Sequence, residues 1–138
     1  MSSDDPQSVV GRSVIAHGVD LVEVARIERM LGDHGERFLD RVFTAGEREY
    51  AAKSRLRQAE HLAGRFAIKE AVLKALGTGW SGGIAWTDIE VVRSAAGAPG
   101  VVLSGEAAAV AKRLGVTGWL VSISHTEVMA MGSVIALG

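Results

Sequence analysis

Cysteine is absent from the 138-residue chain, which excludes a disulfide framework, a thiolate metal site and a cysteine nucleophile. No apolar run reaches the roughly 18 residues that read as a membrane-spanning helix. The opening Met1-Ser2-Ser3-Asp4-Asp5-Pro6 has neither the basic nor the apolar region of a signal peptide. A cytoplasmic protein without membrane contact is therefore expected. Neither sign of charge dominates, with 15 basic residues against 16 acidic, so no broad basic field argues for a nucleic-acid partner. Low-complexity linkers and internal repeats are missing. So are the glycine patterns of dinucleotide and P-loop sites, because both place their glycines before a helix.

What is present is apolar. Hydrophobic residues make up 48% of the chain and its mean hydropathy is +0.21, high for so small a domain. Surplus apolar surface on a small chain favours burial between subunits. Residues 1–12 are polar and read as an N-terminal extension, and residues 13–138 as a single domain. Ser13 to Leu21 alternates as a strand, with Asp20 beside Ala16 and Gly18 on one face and His17, Val19 and Leu21 on the other. Helices are expected over Ala25–Leu31, stopping at Gly32 and Gly35, and over Glu36–Val42. Thr44-Ala45-Gly46-Glu47 has the form of a capping box that starts another helix. A long apolar helix covers 59–76. Ala85–Arg93 alternates as a strand that turns through Gly97–Gly100 into Val101–Leu103. A short helix over Glu106–Leu114 and strands over Trp119–Ser124 and Met129–Leu137 complete the chain. Helices segregated from strands in this order indicate an α+β fold with a largely antiparallel sheet packed with helices around one long central helix.

That central helix carries Lys69, Glu70 and Lys74 among apolar side chains on most of its circumference. Glu70 and Lys74 fall about 40° apart, with Lys69 about 100° from Glu70. A helix hydrophobic nearly all round is buried, and buried charge is costly unless a partner, metal or ligand neutralises it. The helix therefore reads as the carrier of a site. An ordinary Glu–Lys pair at i and i+4 is the competing reading.

Asp20 interrupts an apolar strand, where aspartate is disfavoured. It is either the N-cap of the following helix or part of a site. Asp20 and Glu70, if they converge, supply two hard oxygen ligands suited to Mg²⁺. Gly77, Thr78 and Gly79 follow the helix, and Gly77 reads first as a C-cap. Ser122-Ile123-Ser124-His125-Thr126 ends a strand with no spacing that argues for a Ser–His–Asp triad.

Taken together these segments resemble the holo-acyl-carrier-protein synthases, the small 4'-phosphopantetheinyl transferases. The resemblance rests on Gly18-Val19-Asp20-Leu21-Val22-Glu23-Val24 with Arg26-Ile27, on Phe43-Thr44 and Glu47, and above all on Ala63 to Gly79. Trp86, Asp88 to Val91, Gly97, Pro99, Leu103 and Ser122 to Thr126 continue it. Ala16 and His17 depart from the pattern. The resemblance implies the family's fold and a reaction in which the phosphopantetheine arm of coenzyme A passes to a serine of apo-acyl carrier protein. Adenosine 3',5'-bisphosphate is released, and the pathway served is fatty acid biosynthesis. It further implies Mg²⁺ held by Asp20 and Glu70, with Lys74 against the phosphates and Glu70 or a metal-bound water accepting the serine proton. Gly77, Thr78 and Gly79 would enclose the nucleotide together with Ser124, His125 and Thr126. A homotrimer with sites at subunit interfaces is implied too.

Arg26, Met30, Arg37, Phe38 and Arg41 lie in or beside the first helices. By residue type alone they read as a solvated face, since acidic residues are interleaved. The resemblance makes them a docking surface for the acidic carrier protein. The reading from another class is a non-catalytic carrier-protein or nucleotide-binding module on the same fold.

Overall fold

The computed structural model describes residues 9–80 and 82–138. Its axis is α4, Gln58–Leu76, whose side chains from Leu62 to Lys69 are all buried. Two strands cross it at very short range. β1 (Val14–Glu23) and β5 (Met129–Leu137) pair antiparallel, and glycine stands where each meets the helix. A Cβ at Gly18 would lie 1.9 Å from the Ala71 carbonyl oxygen, and one at Gly132 would lie 2.7 Å from the Ile68 nitrogen. Real Cβ atoms do not approach so closely, so only glycine lets strand and helix backbones touch. β4 (Gly118–His125) completes a three-stranded sheet in the order β1-β5-β4. β2 (Ile89–Arg93) and β3 (Pro99–Leu103) form a separate hairpin.

The helices divide along α4. α1 (Val24–His34), α2 (Glu36–Val42) and α3 (Ala45–Ala52) help build a core around Ile27, Phe43, Leu62 and Phe66. A second core around Ile68, Val72, Leu76, Ile89 and Val134 includes Ala107 and Ala111 of α5 (Gly105–Arg113). The α+β class, the antiparallel pairing and the long central helix are as expected. Two local readings are corrected. α1 runs through Gly32 to His34 and stops at Gly35, whose φ of 50° and N–H bond to the Leu31 carbonyl end the helix. Trp86–Asp88 is a 3₁₀ turn rather than strand, because the Asp88 carboxylate takes the Ala85 N–H at 3.1 Å and curls the chain. Of the N-terminal extension, residues 1–8 lie outside the described residues.

Glu47 joins several of these elements. Its Oε1 accepts the Thr44 N–H at 2.8 Å while Thr44 Oγ1 accepts the Glu47 N–H at 3.3 Å, completing the capping box. Its Oε2 accepts the Val91 N–H of β2 at 2.8 Å. Lys69 Nζ meets Oε1 at 2.9 Å with both side chains out of solvent, and also donates to the Trp86 carbonyl at 3.0 Å and to that of Ile89. Burial pulls the Lys69 ammonium down from its ordinary range, and the Glu47 charge opposes that fall. Lys69 is thus a structural cation with every donor occupied, and the site-bearing charges of α4 are Glu70 and Lys74.

Candidate active site

Asp20 and Glu70 converge because β1 lies directly on α4. Val14 and its neighbours alternate so that Ala16, Gly18, Asp20 and Val22 face the helix. Asp20 does not cap α1. The N-cap position belongs to Glu23 and carries no side-chain bond, so the capping reading falls. Lys74 Nζ contacts Asp20 Oδ1 at 2.8 Å and the Val19 carbonyl at 3.0 Å. The other Asp20 oxygen, Oδ2, is buried without a hydrogen-bond partner. Arg26 Nη1 of α1 stands 3.9 Å from Glu70 Oε1. Burial first, and then contact with the Asp20 carboxyl, push the Glu70 carboxyl up to about 7. Asp20 in turn holds the Lys74 ammonium above its usual range.

Two adjacent carboxyls, one with an orphaned buried oxygen and one reluctant to ionise, form a place whose negative charge Lys74 and Arg26 only partly offset. That donor set fits Mg²⁺, which takes one or two carboxylates and keeps most of its waters. Among the described residues no cluster of three or more His, Cys, Asp or Glu side chains could hold a metal, so the donors are these two and no richer cage.

The raised Glu70 carboxyl has a consequence for stability without metal. Between pH 4.5 and about 7 the folded chain keeps a proton that the unfolded chain has released. Its contribution is full at the acid end and is lost as pH rises through about 7. Urea denaturation in chelator at pH 5 and pH 7.5 is expected to show wild type losing stability relative to Glu70→Gln as pH rises. Parallel pH dependence of the two chains would contradict the assignment.

Beside the carboxyls a groove of about 560 Å³ opens between α1, α2 and the segment after α4. Arg26, Met30, Arg37, Phe38 and Arg41 all line it, so residues singled out separately in the sequence form one surface. Trp80 and Trp86 stack in it at 5.9 Å with ring planes 7° apart, and Arg41 lies over Trp80 at 5.4 Å. Phe66 adds a third ring, with Arg26 over it at 5.2 Å. Sequence reasoning missed these three aromatic residues as site members. Trp80 gave a signal, because a lone indole in a glycine loop has no core to fill.

The residues expected to enclose a nucleotide do not meet. Gly77, with φ of 76°, caps α4, and Thr78 and Gly79 continue the loop there. His125 sits near the other end of α4, where its Nδ1 contacts Glu60 Oε1 at 2.6 Å and its ring faces His61 at 5.6 Å. Ser124 precedes it, and Thr126 Oγ1 accepts the Val128 and Met129 N–H groups at 3.1 Å. Glu60 and Leu76 are separated by about 24 Å of helix at 1.5 Å per residue. A single chain therefore cannot bring Gly77–Gly79 and Ser124–Thr126 to one nucleotide. At the His125 end lies a cation-lined cavity of about 530 Å³ that the sequence reading did not anticipate. Arg65, Lys53 and Arg93 surround the Tyr50 ring there, at 4.0, 5.4 and 5.4 Å. The Nε atoms of Arg65 and Arg93 are buried without hydrogen-bond partners, and Glu90 lines the same cavity.

Comparison with known proteins follows the same lines. The profile of the 4'-phosphopantetheinyl transferase superfamily matches residues 16–128. A holo-[acyl-carrier-protein] synthase of Gloeobacter violaceus is 49% identical over 121 residues, 88% of this chain and 91% of its own. The crystal structure of holo-[acyl-carrier-protein] synthase from Neisseria meningitidis superposes with a TM-score of 0.81 at 28% identity, over 90% of this chain and 98% of that one. The Helicobacter pylori holo-[acyl-carrier-protein] synthase in complex with coenzyme A gives a TM-score of 0.75 at 31% identity, over 87% and 98%.

Proposed function

The chain belongs to the 4'-phosphopantetheinyl transferase superfamily, and from that membership we propose that it catalyses holo-[acyl-carrier-protein] synthesis. The 4'-phosphopantetheine of coenzyme A passes to a serine of apo-acyl carrier protein, and adenosine 3',5'-bisphosphate leaves. The serine oxygen bonds to the phosphorus that carries the pantetheine arm as the phosphoanhydride bond to the nucleotide breaks. Mg²⁺ held by Asp20 and Glu70 would neutralise charge on the pyrophosphate when bound. Glu70 is the residue that takes the serine proton. Lys74, more than half exposed beside Asp20, supplies a point charge to the phosphate oxygens. The observation that carries this reading is the convergence of Asp20, Glu70 and Lys74, with Arg26 joining Glu70 to the aromatic groove. Fatty acid biosynthesis is the pathway served, in the cytoplasm. No described helix is long and apolar enough to cross a membrane.

The groove receives the carrier protein. Cations above aromatic rings suit an acidic partner that presents an apolar side chain. The cation-lined cavity takes a further phosphate of the coenzyme. Gly77–Gly79 and Ser124–Thr126 lie toward opposite ends of α4, so a nucleotide that touches both segments draws them from different copies of the chain. That and the apolar surplus of the chain support a homotrimer with sites between subunits, with residues 13–138 acting as one domain within it.

The direct test is to incubate the chain with coenzyme A, Mg²⁺ and apo-carrier protein and to weigh the carrier. A gain of one phosphopantetheine group is expected. An unmodified carrier with coenzyme A bound would instead favour the non-catalytic module. Docking separates from chemistry at Arg41, which lines the groove over Trp80. Arg41→Glu is expected to weaken carrier binding roughly tenfold at low salt, less at high salt, and to leave coenzyme A affinity intact. Titration of both ligands at two ionic strengths decides it. Lost coenzyme affinity with retained carrier binding would misplace the docking surface.

A further inference from the structure

Near the N-terminal end of α4, Glu60, His61 and Tyr50 form with His125 a cluster that the carboxyl chemistry leaves unused. His125 Nδ1 stands 2.6 Å from Glu60 Oε1, with the two side chains only 24% and 13% exposed. An ionised carboxylate can only accept, so the hydrogen between them sits on Nδ1 and His125 donates it. Nε2 is then the ring nitrogen without a protein partner among the described residues. The next residue of the helix, His61, packs its ring against that of His125 at 5.6 Å and 71°. His61 in turn meets the Tyr50 ring at 5.3 Å, and its carbonyl accepts from Arg65 Nη1 at 3.3 Å. Tyr50 and Arg65 both line the cation-lined cavity. Burial first, and then the Arg65 charge, pull the His61 imidazole below its ordinary range. His61 is therefore a neutral wall, and His125 is the histidine with a carboxylate beside it.

Two consecutive residues of α4 thus fix different properties of one imidazole. Packing against His61 sets the plane of the ring, and the hydrogen bond to Glu60 sets which nitrogen faces outward. The carboxylate accepts from Nδ1 whether the ring carries one hydrogen or two, so Nε2 is the nitrogen turned to a ligand in both cases. We propose that Glu60 is a positioning residue, holding His125 with Nε2 presented to the coenzyme. This rests on the reading that Ser124–Thr126 faces the nucleotide. Glu60 itself stays off the coenzyme, because its charge repels a phosphate and the oxygen nearest the ring is occupied by Nδ1. Its effect on binding passes through His125 alone.

Glu60→Met removes the acceptor and keeps the length of the side chain, whereas Glu60→Gln keeps a neutral acceptor. Coenzyme A is titrated into the full chain and its variants, with far-UV circular dichroism checking that each is folded. Glu60→Met is expected to weaken coenzyme A binding on the order of tenfold, as the loss of a hydrogen bond to a charged group does. Glu60→Gln should recover part of that loss. KM for coenzyme A should rise in parallel, while turnover at saturation changes less. In a His125→Ala background, Glu60→Met should have no further effect on binding. An additive loss overturns the proposal, because Glu60 would then act independently of His125. Nitrogen NMR of the free chain at pH 8, where unperturbed histidines are neutral, gives a second readout. The His125 hydrogen is expected on Nδ1 in wild type and on Nε2 in Glu60→Met; finding it on Nε2 in wild type also overturns the proposal. If His125→Ala binds coenzyme A as wild type does, His125 is not a ligand and the proposal falls, while weighing the carrier still decides the transferase reading. If wild type binds no coenzyme A, both fall.

Discussion

Glu70→Gln is expected to slow transfer by roughly 10²–10⁴-fold, the usual contribution of a general base, while leaving the chain folded. Asp20→Asn should fall in the same range or below it. That change removes the charge of a metal ligand and the anion that pairs with Lys74 at 2.8 Å. Each substitution keeps the shape of the side chain and removes only its charge, so urea midpoints at neutral pH should stay near wild type or, for Glu70→Gln, rise. The rate is read by following carrier mass over time, and excess chelator added to wild type should give a loss of similar size. Full activity in chelator, or in either variant, would remove the carboxyl pair from the chemistry.

Lys69→Met should act on stability instead. It leaves Glu47 ionised and without its cation in a dry core, a change that costs about 3–5 kcal/mol. Domains of this size are stable by about 5–15 kcal/mol, so the variant should sit near its unfolding transition in mild urea. Adding Glu47→Leu removes the stranded charge and should restore part of the loss. Recovery stays incomplete because the Thr44 and Val91 N–H groups then lose their acceptor, at about 1–3 kcal/mol for each buried donor left unsatisfied. Equilibrium denaturation of the single and double variants checks both steps. A single variant within 1 kcal/mol of wild type, on the order of an exposed pair's worth, would show that the pair is not the tie it looks to be.

These two outcomes separate what was legible in the chain from what was not. The capping box at Thr44 could be read directly, because its donors and acceptors lie within four residues. The destination of Lys69 could not. Its partner is Glu47, 22 positions earlier, and nothing local marks that carboxylate as both cap and counter-ion. Asp20 was ambiguous between cap and site because either use needs only a short acceptor before a helix. The packing of β1 on α4 resolved it. The five docking residues were readable as types and not as a surface, since α1 and α2 must fold over Phe66, Trp80 and Trp86 before one groove exists. The position of Arg65 within Ala63 to Gly79 does not reveal its setting, because Arg93 and Tyr50 arrive beside it from β2 and α3.

The glycine contacts at Gly18 and Gly132 bear on precision. Where two backbones touch without intervening side chains, their separation is set by peptide geometry and not by rotamers. Asp20 stands two residues beyond one such contact, and Glu70 one residue before the Ala71 carbonyl that receives it. The spacing of the two carboxyls is therefore insulated from the rotamer exchange that other core side chains undergo. Warming or repacking the apolar layers should disturb the groove and the cation-lined cavity well before it disturbs the distance between Asp20 and Glu70.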